Sequence, residues 1–210
     1  MTRPFVANRM TARRTSAPEP ADLRQRILDT SRALLDEQGL AALSLREVAR
    51  RAGVTHQAPY HHFADRESIL AELVAQGFDE LSKRLAKANR MASSHSHLDM
   101  LVASGCAYVG FALDQPGLFG IMFRNDACDP ERFELARLAG HRAHGELLQL
   151  VRLIKGDPVD ELLASVIWSQ VHGMATLLLD GPLGQQLPSR AARLAFVREA
   201  QARFARQLLK

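Results

Sequence analysis

Residues 44–66, SLREVARRAGVTHQAPYHHFADR, decide how this chain folds. Ser44 and Glu47 stand in capping-box spacing, with the Ser oxygen placed to accept from the amide of residue 47 and the Glu carboxylate to reach back to the amide of residue 44. A helix is therefore predicted from Leu45. Leu45, Val48, Ala49 and Ala52 recur at helical spacing and turn one face to a core, leaving Arg46, Arg50 and Arg51 elsewhere. Gly53 supplies the left-handed conformation that stops a helix, Val54 can return to the core, and Thr55 suits the N-cap of a second, short helix over roughly 56–62. Pro59 falls within its first turn or so, where a missing amide costs little; deeper in a helix it would cost about 3 kcal/mol. Asp65 caps a third helix that carries Ile69, Leu70, Leu73 and Val74 at core spacing.

Two helices joined by a tight Gly turn, the second rich in donors, form the helix-turn-helix pattern that places its second helix in the major groove. The donors are Thr55, His56, Gln57, Tyr60, His61 and His62. Gln addresses adenine edges, Thr meets bases or phosphates, and Arg46 has the fork that guanine accepts in bidentate fashion. Tyr60 and Arg66 suit phosphate oxygens. For Arg46, Arg50 and Arg51 a merely solvated helix face is the competing reading. Charge distribution favours nucleic acid: residues 1–66 hold 11 Arg and no Lys against 7 Asp or Glu, whereas residues 67–210 hold 16 of each sign, so the formal +4 sits at the amino end.

On these residues the chain resembles the amino-terminal domain of the tetracycline-repressor (TetR) family. The similarity runs from Leu43 to Leu70, centred on VTHQAPYHHFADRESIL, with Tyr60, Phe63 and Arg66 on the family signature. Arg66 stands where Lys is commoner, and His61 and His62 where one aromatic or basic residue and one His are often found. The resemblance implies that Arg46, Thr55, His56, Gln57 and Ala58 lie toward bases and Tyr60, His62 and Arg66 toward the DNA backbone, with His61 beside them.

Upstream, Asp22 to Gly39 reads as a first helix with Leu23, Ile27, Leu28, Leu34 and Leu35 on one face. Residues 1–20 have no apolar period and contain four Arg and three Pro, which marks a disordered basic arm, either a solvated tail or a follower of phosphates or a minor groove. Phe5 to Met10 is too short for the apolar region of a signal peptide. The expected organisation is an arm over 1–20, a helix-turn-helix domain over 21–66 and a ligand-binding and dimerisation domain over 67–210. No strand-like alternation persists, so the chain is expected to be all-α, with further helices near 66–91, 96–114, 117–125, 130–155, 158–180 and 189–209.

Cys106 and Cys128 have no metal-ligand neighbours and read as buried thiols of a cytoplasmic protein, with a redox sensor as the alternative. His141 and His144 share a helix face without an acidic or cysteine partner and read as surface histidines rather than metal ligands; no metal or cofactor is expected. Leu162 to Leu179 carries no formal charge over 18 residues, near the length of a membrane span, but Ser165, Ser169, Gln170 and His172 argue against lipid. A helix apolar all round needs cover, which a second subunit would provide. The TetR resemblance likewise implies a homodimer, paired through the helices near 158–180 and 189–209 and bound to a near-palindromic double-stranded operator.

Trp168, His172 and Gly173, with Leu118 to Phe123 (LFGIMF), are similar to a Trp/His-Gly (WHG) subgroup of TetR carboxy-terminal domains. Trp168 and His172 lie one turn apart and also suit simple packing. The resemblance implies a cavity for a small apolar or aromatic effector whose binding releases DNA, with Phe111, Leu118, Met122, Phe123, Trp168, His172 and Met174 as candidate lining, although the same side chains serve a core. The expected protein is a regulator, most often a repressor in this family. An effector-independent, nucleoid-type DNA binder is one alternative. An enzyme or carrier using the helix-turn-helix as scaffold is another, but no nucleophile beside a base, carboxylate pair or phosphate-cradling Gly loop stands at usable spacing.

Overall fold

In a computed structural model, which describes residues 20–129 and 131–210, the helix predicted from Leu45 begins there. The expected arm over residues 1–19 lies outside the described residues. α1 (Pro20–Gln38) leads to α2 (Leu45–Arg51). Ser44 Oγ accepts from the Glu47 amide at 3.2 Å, as the spacing predicts. The reciprocal half of the capping box does not form. Two guanidinium groups one turn away outcompete a single amide, so the Glu47 carboxylate binds Arg50 at 2.7 Å and Arg51 at 3.1 Å.

Gly53 ends the helix at φ +66°, and the Val54 amide donates back to the Ala49 carbonyl at 3.0 Å. The second helix expected over 56–62 is instead a single 3-10 turn, Ala58–His61, with Gln57 rather than Thr55 at its N-cap. Pro59 is the reason. It has no amide to give to a carbonyl four residues back, and the neighbouring amides close tighter bonds, Ala58 to the Thr55 carbonyl, Tyr60 to Gln57 and His62 to Pro59. Asp65 then caps α3 (Arg66–Ala92) in a complete capping box with Ser68.

Beyond α3 come α4 (His97–Asp114), α5 (Pro116–Met122), α6 (Glu134–Lys155), α7 (Glu161–Leu179), α8 (Pro182–Gln186) and α9 (Arg190–Leu208), and no strand occurs among the described residues. The expected helix starts at 130 and 158 move to 134 and 161, the latter because Asp160, not Pro158, caps α7 by accepting from the Leu163 amide. Pro182 opens the one-turn α8.

α4 occupies the centre, packed by α3, α7 and α9, while α6 lies along α3. α1 packs on α3 and carries α2 on another side, and α5 wedges against α1. The apolar core runs without a break from Ile27, Leu34 and Val48 through Phe63 and Leu70 to Tyr108, Leu118 and Val197. α3 crosses the expected domain boundary at 66/67 as one uninterrupted helix.

The contact of α1 with α5 depends on Gly117. Its amide donates to Asp36 Oδ1 at 3.0 Å, and a Cβ there would stand 2.8 Å from the Asp36 backbone nitrogen and the Leu35 carbonyl carbon. Backbone cannot yield as a side-chain tip can. Gly117→Ala should lower stability by about 1–3 kcal/mol, read as a reduced denaturation midpoint at unchanged m-value.

Candidate nucleic-acid interface and cavity

The 3-10 turn hangs from two buried anchors, Pro59 and Phe63, which leave its other side chains outside. Thr55, His56, Gln57 and His61 are exposed, Tyr60 is 56% exposed, and Ala58 and His62 are half-buried. Among the described residues none of these side chains, nor exposed Arg46, has a hydrogen-bond partner within the protein. Their donors and acceptors therefore face solvent, at no cost to the fold if a ligand takes them.

The neighbouring cations are not equally free. Arg50 and Arg51 are held by Glu47, and Arg51 also by Glu37 at 2.5 Å. Hydrogen bonds from Arg50 and then Arg51 lower the Glu47 carboxyl to about 2. Arg66, expected at phosphate, is turned inward: Nε donates to the Leu43 carbonyl and Nη2 to the Leu40 carbonyl, both at 2.7 Å. It fastens the segment between α1 and α2 to the start of α3 and is a positioning residue. On α2, Arg46 is the cation left uncommitted among the described residues.

A second clamp reaches the start of α3 from the α5–α6 connection. Arg132 pairs with Asp65 at 3.0 Å and with Glu67, and its guanidinium lies 4.9 Å from the centre of the Phe133 ring. Bonds from Ser68 and then Arg132 keep the Asp65 carboxyl below its ordinary range. Phe123, at the other end of this connection, lines a cavity of about 310 Å³ enclosed by α3, α4, α6, α7 and α9. Phe78, Leu81 and Leu85 come from α3, Ser104, Gly105 and Tyr108 from α4, Leu147 and Leu150 from α6, Ile167, Trp168 and Val171 from α7, and Gln201 and Phe204 from α9. His141, His144 and Trp168 mark where it reaches the surface.

Of the lining residues expected from sequence, Phe123 and Trp168 are in place. Leu118 and Met122 are core: they fill the space above Gly77, where a Cβ would stand 2.6 Å from Met122 Sδ. Phe111 is fully buried beside Phe119 and under the Arg84 guanidinium, and Met174 packs on the core's edge. His172 stands behind the wall, 4.7 Å from the Phe123 ring, with Nδ1 2.8 Å from the Tyr108 hydroxyl, which also accepts from Trp168 Nε1 at 3.3 Å. Tyr108 was missed because a lone Tyr in an apolar helix reads as core until its partners, 60 and 64 residues on, are brought to it. Ser104, Gln201 and the two surface histidines had no local signal of a cavity either.

Cys106 is half-buried and Cys128 buried, and burial raises both thiols, with Glu67 and Asp129 adding to the effect at Cys128. Raised thiols are poor nucleophiles, which disfavours a redox sensor. Among the described residues no three His, Cys, Asp or Glu side chains converge on a metal site.

Two family models match the chain: bacterial regulatory proteins of the tetR family over residues 27–73, and the tetracyclin repressor-like carboxy-terminal domain over residues 101–205, half of the chain. The chain belongs to the TetR family. The family is one of transcriptional regulators, whose members bind DNA operators and typically act as dimers. Among curated relatives, the HTH-type transcriptional regulator AcrR of Shigella flexneri is 42% identical over 60 residues, 29% of this chain and 28% of AcrR. The chain spans 28% and 42% of the lengths of the first curated regulators it matches. A protein of unknown function from Rhodococcus sp. RHA1 superposes with a TM-score of 0.76 at 30% identity, covering 95% of this chain and all of that one. The TetR regulator PfmR of Thermus thermophilus shares the fold, with a TM-score of 0.65 at 22% identity over 88% of this chain and 97% of its own.

Burial lowers the His172 imidazole below its ordinary value near 6.5. The folded state thus holds fewer protons than the unfolded one at acid pH, and the stability present above pH 6.5 is lost as the pH falls through the folded pKa. Thermal midpoints should decline from pH 7 toward pH 5, and His172→Gln should flatten that slope.

Proposed function

We propose that this regulator is a homodimeric repressor that binds a near-palindromic operator through Arg46 and the turn Thr55 to His62, and leaves it when a small apolar or aromatic molecule enters the cavity. Thr55, His56, Gln57 and Ala58 would face bases, with Arg46 reaching a guanine, and Tyr60, His61 and His62 would lie along the phosphates. The arrangement replaces a long recognition helix by one tight turn plus the exposed end of α2, so the number of base edges in reach per subunit is small and a second copy is needed for selectivity.

The observation that carries this reading is the connection between α5 and α6. It begins at Phe123 in the cavity wall and ends at Arg132 on the cap of α3, directly behind the turn. A ligand that displaces Phe123 moves the residue gripping the reading turn's foundation. An effector-independent DNA binder would have no use for a cavity joined to the turn in this way.

For the pairing surface, α7 supplies the candidate. Its Ala164, Ile167, Val171, Ala175 and Leu178 face the core, and on the opposite side exposed Leu162 (77%), Val166 and Leu177 line up with half-buried Gly173, while Phe196 of α9 is exposed as well. By length and composition α7 is apolar enough to cross a membrane. Its buried edge is packed in the core, and a second copy's α7 and α9 would cover the rest in a cytoplasmic dimer.

Selection of duplexes from a random pool by the full chain, followed by anisotropy titrations, tests the proposal. Recovered sequences should be near-palindromic, affinity should fall steeply with salt, and Gln57→Ala should cost about 1–3 kcal/mol and relax preference at one position per half-site. Failure to select any sequence, or sedimentation as a monomer at the concentrations that bind DNA, would overturn it. Arg132→Ala removes exposed ion pairs and an exposed contact with the Phe133 ring, so stability should change by no more than about 1 kcal/mol. The variant should keep its operator affinity while release by ligand is blunted; unchanged release would sever the link.

A further inference from the structure

We infer that the cavity selects an uncharged molecule of about two fused rings carrying one hydroxyl or carbonyl group, and that Ser104 and Gln201 are the pair that recognises that group. This rests on reading the cavity as the effector site, and it adds the chemistry of the occupant.

Size comes first. A dry cavity of roughly 150 Å³ lined by aliphatic and aromatic side chains holds a benzene ring. At about 310 Å³ this one has room for twice that. Charge comes next. Among the described residues the lining contains no Asp, Glu, Lys or Arg, and its two histidines stand at the mouth. An ion entering would shed its water and meet no opposite charge, a heavy penalty that a neutral molecule escapes.

The polar groups inside then sort into satisfied and unsatisfied. Tyr108, Trp168 and His172 answer one another: the indole N–H donates to the phenol oxygen, and the phenol shares a 2.8 Å hydrogen bond with His172 Nδ1. Burial raises the Tyr108 phenol, so it stays neutral. Ser104 is different. Ser31 and Ser165 donate to the carbonyl four residues back in their helices, whereas the buried Ser104 hydroxyl has no hydrogen-bond partner among the described residues. Gln201 is 3% exposed; its Nε2 donates to Gln170 Oε1 at 3.0 Å, and its own Oε1 has no partner among the described residues. That carbonyl lies across Gly105, where a Cβ would stand 2.7 Å from it, so the glycine is what admits the amide to the cavity wall beside Ser104. A donor-acceptor hydroxyl on residue 104 and an acceptor carbonyl packed over residue 105 thus both belong to the lining of one apolar chamber. A ligand hydroxyl can donate to Gln201 Oε1 and accept from Ser104 Oγ; a ligand carbonyl can accept from Ser104.

Trp168 is the chain's one tryptophan and lines the cavity, so its fluorescence reports occupancy without DNA. Three UV-silent probes with one rigid cage separate the chemistries: 1-adamantanol, 1-adamantanecarboxylate and 1-adamantylammonium, titrated into the full chain at pH 8. The alcohol should bind at least about 100-fold more tightly than either ion. Ser104→Ala and Gln201→Leu should each weaken the alcohol by about 3- to 10-fold while circular dichroism shows an intact fold. Comparable binding of an ion, no binding of the alcohol, or alcohol affinity indifferent to both substitutions would overturn the inference. Selective alcohol binding that fails to release selected DNA would support it and defeat effector release instead.

Discussion

Both candidate sites are built on one helix, and that shared backbone is the constraint on which the rest depends. α3 starts at a complete capping box, Asp65 with Ser68, immediately after the reading turn, and three turns later presents Phe78, Leu81 and Leu85 to the cavity. A 27-residue α-helix rises about 40 Å and bends little, so a displacement at one end is felt at the other. Everything packed at its first turn reinforces the cap: Arg66 ties it to the Leu40 and Leu43 carbonyls, Arg24 pairs with Glu72, and Arg132 holds Asp65 and Glu67 from the α5–α6 connection. The individual pairs are exposed or half-exposed and each contributes little to stability. Their value is geometric, since together they set the angle at which α3 leaves the turn.

The reading turn is economical in the same way. Pro59 and Phe63 are buried, and the side chains between and before them are left without internal partners. Burial of two anchors fixes the backbone, and the polar residues remain available. Across the molecule, the cavity reverses this arrangement: apolar walls from five helices surround a few polar groups, some already paired and others, Ser104 and the Gln201 carbonyl among them, without a partner among the described residues. One face suits a charged, hydrated polymer and the other a small uncharged guest, which is the division of labour that the amino-terminal excess of arginine foreshadows.

Much of the fold was legible because it is local. Ser44, Gly53, Asp65 and the apolar periods of α1 to α3 act on neighbours within a few residues, so their consequences follow from the chain order alone. Errors arose where two local signals compete. Glu47 had an amide and two arginines within reach and took the arginines; Pro59 permitted a turn but not a helix. The cavity was less legible. Phe111, Leu118 and Met122 resemble Phe123 and Trp168 in every property a sequence displays, and only the smallness of Gly77 and the placement of five helices decide which of them face empty space.

By itself, then, the amino-acid order determined the helical class, the boundaries set by caps and glycines, and the exposed polar turn, because each is a matter of hydrogen bonds and sterics among residues close in the chain. Tertiary structure alone decided that Arg66 is a fastener, that Arg132 reaches the cap of α3, and that Tyr108, Ser104 and Gln201 share one chamber. Those are encounters between residues 23 to 97 positions apart, and which of many possible partners a side chain meets depends on how the helices pack, a property of the whole molecule.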